Sequence, residues 1–213
     1  MQITEQLLKE VAEKSLQNAQ SLIEDAELLK QNNRIQRTYT LYQLAMEEVG
    51  KSVISFVLIV SPDGLSEGNQ KMYREEFFEH RRKTKRSGAM DILVVEVLYQ
   101  GEVDNALSFL ESSFKESEKE LNNRKNYSLY TSVIENNVKR PDEVITKDMV
   151  NHIWFRTISR FNAAKAFVET GLKNWEALRK YMKEQAETGN VITPERYAEE
   201  FWAKISKKKE SSG

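Results

Sequence analysis

The sequence predicts an all-α protein that folds as a single-domain bundle of five to seven helices over residues 1–213. Three observations carry this prediction. The 213 residues include only 8 Gly and 3 Pro, which is too few turn residues for a β-sandwich or a β-barrel. Apolar residues recur at helical spacing along most of the chain. No internal repeat and no linker divides the sequence into separate units.

Composition also excludes several functional classes. With no Cys and only two His, we expect no disulfide, no thiolate nucleophile and no metal site. Glycine-rich loops that bind the phosphates of cofactors are absent, so we expect no cofactor. Lys+Arg 32 and Asp+Glu 33 nearly cancel, so no overall charge draws the chain to nucleic acid or a membrane. The N-terminus does not resemble a signal peptide, and the longest apolar run, residues 56–60, is too short to span a bilayer. These features predict a cytoplasmic protein without membrane contact.

The first two helices have clear boundaries. Thr4 is a suitable N-cap, and the apolar stripe that follows predicts a helix to Gln31 or Asn33. A second helix begins near Arg34 and ends at Val60, before the turn residues of PDG. Its last two turns, VISFVLIV, are apolar on all sides, so we expect this helix at the centre of the bundle.

The third and fourth helices are less regular. The third covers about residues 68–87, ends in the basic run HRRKTKR, and turns three apolar side chains inward: Met72, Phe77 and Phe78. The fourth covers about residues 89–122 with a bend near Gly101.

The last third of the chain begins with the least periodic stretch, residues 123–145. It contains Pro141, so we expect a long ordered loop or short extended pieces there. Thr146 then caps a long helix to about Glu187, in which Gly171 is a candidate for a bend. Thr193 and Pro194 start a short helix, and residues 207–213 form a frayed tail.

Charged side chains in the second helix suggest a functional site. Glu48 shares a helical face with apolar residues, and Lys51 continues that face. A charge buried without a partner costs several kcal/mol, so partners are required. The alternative is an ordinary ion pair between Glu47 and Lys51 at the solvent edge of the helix.

His80 is the second candidate, since imidazole suits proton transfer near neutral pH. Lys83 lies three residues after it. Basic residues follow that could hold an anionic substrate, among them Arg81, Arg82 and Arg86. The alternative is a solvated helix C-terminus whose basic residues oppose the helix dipole. We place the other histidine, His152, on the surface.

Four segments resemble the AbiV family of bacterial abortive infection proteins, which belongs to the HEPN-like helical proteins. They are NAQSLIEDAELL, RTYTLYQLAMEEVGKSV, YREEFFEHRRK and NRKNYSLYTSV, and the similarity covers about residues 14–180. The resemblance implies a HEPN-like fold and a cytoplasmic anti-phage protein that halts gene expression in the infected cell.

HEPN-like proteins are often metal-independent RNases that dimerise and use an Arg followed after four to six residues by His. The resemblance therefore implies Arg74 with His80, and it also leaves Arg124 and Tyr130 as possible site residues. On one regular helix, Arg74 and His80 point about 120° apart, so they converge only if the helix is distorted or a substrate bridges them.

Two functions follow as hypotheses. In the favoured one, a phage-encoded protein triggers a homodimer, which stops gene expression or translation by binding proteins, and the charged group is an internal ion network. In the other, His80 is the general acid or base of an RNase. There Arg74, Lys51 and Lys83 stabilise the transition-state charge and Glu48 orients a base. RNA is held by four arginines: Arg81, Arg82, Arg86 and Arg124. A third possibility is an antitoxin-like partner of a separate enzyme.

Overall fold

The computed structural model describes residues 3–91, 94 and 118–189. This part of the chain contains seven α-helices, one two-stranded hairpin and one 3-10 turn, and the all-α prediction is confirmed. The helices are α1 (Glu5–Gln31), α2 (Ile35–Val60), α3 (Glu67–Phe78), α4 (His80–Gly88), α5 (Glu118–Leu129), α6 (Lys147–Lys173) and α7 (Trp175–Glu187). The antiparallel strands are β1 (Ser132–Ile134) and β2 (Asn137–Lys139), and the 3-10 turn is Pro141–Glu143.

Helix α2 lies at the centre, as its apolar sequence predicts. It packs against each of the other six α-helices of the described part. One face carries large, fully buried side chains that form the main core with α1 and α6: Tyr39, Tyr42, Met46, Val49, Val53 and Phe56. None of the described helices combines the length and the apolarity that a membrane crossing needs.

The predicted N-caps of α1 and α6 are confirmed. The Thr4 hydroxyl accepts a hydrogen bond from the backbone N–H of Leu7 at 3.1 Å. The Thr146 hydroxyl accepts one from Met149 at 3.3 Å. The predicted long helix after Thr146 is two helices, because the chain leaves helical geometry at Asn174, three residues after Gly171 and just before α7 begins.

The predicted third helix is also two helices. Glu79 is extended, with φ −90° and ψ 118°, and separates α3 from α4. No Gly or Pro marks this break; α4 is instead turned so that its backbone packs against Gly50 of α2. The expected inward positions of Met72 and Phe78 are wrong, because both are exposed, and Tyr73 is the buried residue of α3.

The predicted loop over residues 123–145 is corrected at its start, where α5 continues to Leu129. Sequence periodicity misses this helix because its buried face is largely polar: Leu121, Lys125 and Ser128. The rest of the segment holds the hairpin and the 3-10 turn, which are the short extended pieces that the sequence allows.

Several sequence predictions lie outside the described residues. They are most of the fourth predicted helix over residues 92–117, apart from Val94, the short helix after Thr193, and the tail over residues 207–213.

Candidate functional site

A buried carboxylate, Glu47 of α2, joins three helices. Its Oε1 accepts a hydrogen bond from Lys125 Nζ of α5 at 2.6 Å. Its Oε2 contacts His80 Nδ1 of α4, and Lys83 Nζ of α4 lies 3.9 Å from the same oxygen. We call these four residues, Glu47, His80, Lys83 and Lys125, the Glu47 cluster. Glu47 is 3% exposed, so its charge is neutralised by these side chains rather than by water.

Local sequence explains why α4 can approach Glu47. Gln43, Glu47 and Gly50 follow one another by four and three residues, so they share a face of α2. A Cβ atom at Gly50 would lie 2.6 Å from the backbone carbonyl carbon of Lys83. Glycine therefore permits a contact between the two helices that any larger residue would prevent.

Neighbouring hydrogen bonds hold the same helices in register. Gln43 Nε2 donates to the Thr84 hydroxyl of α4 at 3.1 Å. The hydroxyls of Thr40 and Ser128 lie 2.6 Å apart and join α2 to α5. Polar contacts that are buried in this way specify one arrangement of the helices, since each loses a partner if the register shifts.

Burial and neighbouring ammonium groups both disfavour the charged form of Lys83. Burial lowers the pKa of Lys83 below its usual value. The ammonium groups of Lys51 and Lys125 lower this pKa further, whereas Glu47 and Glu48 oppose the shift. Two buried ammonium groups thus compete for one buried carboxylate.

His80 is the solvent-facing member of the Glu47 cluster, with 60% of its side chain exposed. Because an ionised carboxylate only accepts hydrogen bonds, Nδ1 carries the proton that His80 shares with Glu47. The other ring nitrogen, Nε2, has no hydrogen-bond partner within the described residues. Glu47 therefore orients the imidazole through Nδ1, and Nε2 is left without a hydrogen bond to the described residues.

Glu48, to which the sequence assigned the role of orienting a base, is not the carboxylate that contacts His80. It pairs with Lys51 one turn along α2, and it lines a groove of about 330 Å³ beside α1. The alternative pair between Glu47 and Lys51 is not formed either, because Glu47 points towards α4 and α5. Lys51 is half-buried, and its ammonium group is close enough to lower the pKa of Lys83.

Arg74 and His80 are not brought together. Arg74 is exposed on α3, where its guanidinium donates to Gln70 Oε1 at 3.3 Å. The break at Glu79 puts His80 on a different helix, which is fixed to α2 through Glu47. Tyr130, the other residue that the resemblance implied, is exposed after the end of α5.

Most of the predicted substrate-binding arginines are engaged by carboxylates. Arg86 makes two hydrogen bonds to Glu76, at 2.8 and 2.6 Å. Arg82 lies 2.7 Å from Glu79 and 3.3 Å from Glu75. Arg124 donates to Glu120 at 2.7 Å. Arg81 is exposed, and its side chain has no ion pair in the part of the chain that the structure describes.

Sequence reasoning missed Lys125, and it missed a second buried pair. Arg160 of α6 binds Asp91 through two hydrogen bonds of 2.8 and 2.6 Å, and it also donates to the Ser87 hydroxyl at 3.1 Å. For Glu47, the sequence did offer a signal: Gly50 follows it by one turn in the apolar helix α2, which indicates that another helix packs closely beside this carboxylate. For Lys125 and Asp91 the sequence offers no comparable signal.

The described residues contain no group of three or more His, Cys, Asp or Glu side chains that could hold a metal ion. The HEPN_AbiV family model, described as AbiV, matches residues 7–160 of the chain. This match includes the whole Glu47 cluster. No curated protein and no solved structure matches the chain at a significant level.

Proposed function

The chain belongs to the AbiV family of HEPN proteins, and on this premise we propose that it stops gene expression or translation in infected bacteria through protein binding. The family supports a role in abortive infection, a defence against phage. In the proposal, a phage-encoded protein is the trigger. The protein acts in the cytoplasm as a homodimer, which accords with the frequent dimerisation of HEPN domains.

Charge compensation around His80 supports protein binding over RNA cleavage. Nucleic-acid affinity grows with the number of phosphates that free Lys and Arg side chains neutralise. Here Arg82, Arg86 and Arg124 already contact carboxylates. The Glu47 cluster is then an internal ion network that holds α2, α4 and α5 together.

A plaque assay with two histidine variants tests this proposal. We expect His80→Ala to keep phage resistance, because the exposed imidazole is one of three side chains that surround Glu47. His152→Ala, which removes the exposed histidine of α6, is the matched control. Loss of resistance in His80→Ala alone, with unchanged thermal unfolding, would contradict a purely internal role for the cluster.

The contact between Glu47 and His80 favours a second candidate, a metal-independent RNase. A carboxylate that fixes Nδ1 leaves Nε2 available for proton transfer, the arrangement that general bases often use. Glu47 takes the orienting role expected of Glu48. Lys83 is buried, so any charge stabilisation at the substrate would fall to Lys51 or Arg81.

RNA cleavage in EDTA decides between the two candidates. The purified chain is incubated with its trigger and labelled RNA, beside His80→Ala and His152→Ala. Cleavage that disappears only in His80→Ala would establish the RNase. Intact RNA from a protein that confers resistance would eliminate it.

A further inference from the structure

Helix α4 presents three different surfaces. One is buried against α2 and carries Lys83, Thr84 and Ser87. A second carries Arg82 and Arg86, which are neutralised by carboxylates of α3 and by Glu79. The third carries two exposed cations, Arg81 and Lys85.

Arg81 and Lys85 are four residues apart, so they lie one turn apart on the same face of α4. Both are exposed, and neither side chain has an ion pair or hydrogen bond in the described part of the chain. They differ in this from Arg82 and Arg86, although all four belong to the same basic run. The helix therefore holds two uncompensated cations, Arg81 and Lys85, beside the compensated Arg82 and Arg86.

A large exposed apolar side chain precedes these cations by a few residues in the chain. Phe78, the last residue of α3, is 69% exposed, and its ring touches Phe77 edge-on with 5.4 Å between centroids. Phe78 and Arg81 are three positions apart in sequence, so their Cα atoms lie within about 11 Å of each other. An exposed aromatic ring beside cations is typical of the residues that dominate protein interfaces.

We propose that Phe78, Arg81 and Lys85, which we call the α4 surface, bind a segment of a partner protein that is acidic and contains apolar side chains. Carboxylates of the partner pair with Arg81 and Lys85, and an apolar residue covers the Phe78 ring. This proposal rests on the proposed protein-binding function and names the chemistry of the partner.

The surroundings favour an acidic protein over RNA. Glu75, Glu76 and Glu79 lie on or beside the same two helices and compensate Arg82 and Arg86. Among the Lys and Arg side chains of α4, these pairs and the contact of Lys83 with Glu47 leave Arg81 and Lys85 without a carboxylate partner in the described residues, which is few for a phosphate backbone. Exposed Phe and Arg side chains are instead enriched at protein interfaces, where charge complementarity selects the partner.

The test is a binding measurement on the full chain with three fluorescent probes of equal length. The first is a peptide of Asp and Glu residues interspersed with Leu and Trp. The second is the same peptide with Ser at each apolar position, and the third is oligouridylate. Fluorescence anisotropy gives the dissociation constant of each probe.

We expect the acidic apolar peptide to bind best. The variants Phe78→Ser and Arg81→Glu/Lys85→Glu should each weaken it about tenfold or more. Lys147→Glu/Lys183→Glu makes the same change in net charge at two exposed lysines of other helices, and it should leave the affinity within about twofold.

Three outcomes of the binding measurement would overturn the proposal. They are no binding of the acidic apolar peptide, an equal loss of affinity in the control variant, and tighter binding of oligouridylate that Arg81→Glu/Lys85→Glu abolishes. The last outcome would assign the surface to RNA.

A plaque assay on the same variants separates this proposal from the proposed function. If the unmodified chain gives no resistance, the function fails, while the peptide measurement still decides the surface. If resistance is normal in Phe78→Ser and in the double variant, the surface fails alone.

Discussion

Lys125 of α5 donates a hydrogen bond to the buried carboxylate of Glu47 of α2 at 2.6 Å, across 78 positions of sequence. Both side chains are buried. Each charge depends on the other, because water is excluded from the space between them. This contact fixes α5 against the central helix at the same carboxylate that orients His80.

Removing the ammonium group of Lys125 should destabilise the fold. We expect Lys125→Met to lower the free energy of unfolding by about 3 kcal/mol, because Glu47 loses a direct partner while it stays buried. Chemical denaturation measures the change. Lys14→Met, which breaks an exposed pair with Glu10, should change stability by less than about 1 kcal/mol.

The double variant Glu47→Gln/Lys125→Met completes a thermodynamic cycle. Its loss of stability should be smaller than the sum of the losses in Glu47→Gln and in Lys125→Met, since each single variant already breaks the same pair. Additive effects of the two substitutions would show that Glu47 and Lys125 are not coupled in solution.

Gly50 permits the close approach of α4 to α2. We expect Gly50→Ala to cost about 3 kcal/mol of stability, because the new methyl group overlaps the backbone of Lys83 and the rigid backbone cannot give way. Gly68→Ala is the matched control in α3, where a Cβ meets nothing within 4 Å. Thermal unfolding should show a clear loss for the first variant and none for the second. Equal melting temperatures would mean that the two helices are not in contact.

The ionisation of Tyr39 should make the free energy of unfolding depend on pH in the alkaline range. Burial raises the pKa of Tyr39 from 10.0 to about 12, and its hydroxyl has no partner in the described part of the protein. Above pH 10.0 the unfolded chain releases this proton while the folded chain retains it, so the folded state loses stability as the pH rises towards about 12.

Tyr39→Phe should therefore be about 1 kcal/mol more stable at neutral pH, where an unpartnered hydroxyl is removed. Its advantage should grow above pH 10.0. Tyr181→Phe, at an exposed position of α7, controls for the general effect of alkaline pH. A constant difference between Tyr39→Phe and the unmodified chain at all pH values would refute the linkage.

Arg160 anchors α6 through two hydrogen bonds to Asp91. Arg160→Met should lower the free energy of unfolding by about 3–5 kcal/mol, because the carboxylate stays buried without its partner. Arg140 pairs with Asp142 at the surface, and Arg140→Met should cost less than about 1 kcal/mol. Similar losses in the two variants, measured by urea unfolding, would contradict the difference in burial.

Sequence reasoning succeeded where apolar residues define a helix. The boundaries of α1 and α2 follow from Thr4, from the repeated apolar positions and from the PDG turn. It failed at Glu79, where nothing in the local sequence ends a helix, and at α5, where the buried face is polar. In both places the position of α2 decides the outcome, through Gly50 in one case and Glu47 in the other.

The candidate site was located only in part. His80 and Lys83 do meet a carboxylate of α2, but it is Glu47 and not its neighbour Glu48. Adjacent residues on a helix point about 100° apart, so a small error in the assigned face exchanges one glutamate for the other. Lys125 lies too far along the chain for any spacing rule to connect it with His80.

The sequence by itself determined the helical class, the central helix, the family resemblance and the basic run after His80. Those properties are local, since they depend on periodicity, on caps and on residues close together in the chain. Only the tertiary structure decided which carboxylate receives His80, which arginines are neutralised and which cations stay exposed. Those properties depend on distances between helices, and the packing of α4 and α5 on one face of α2 sets them.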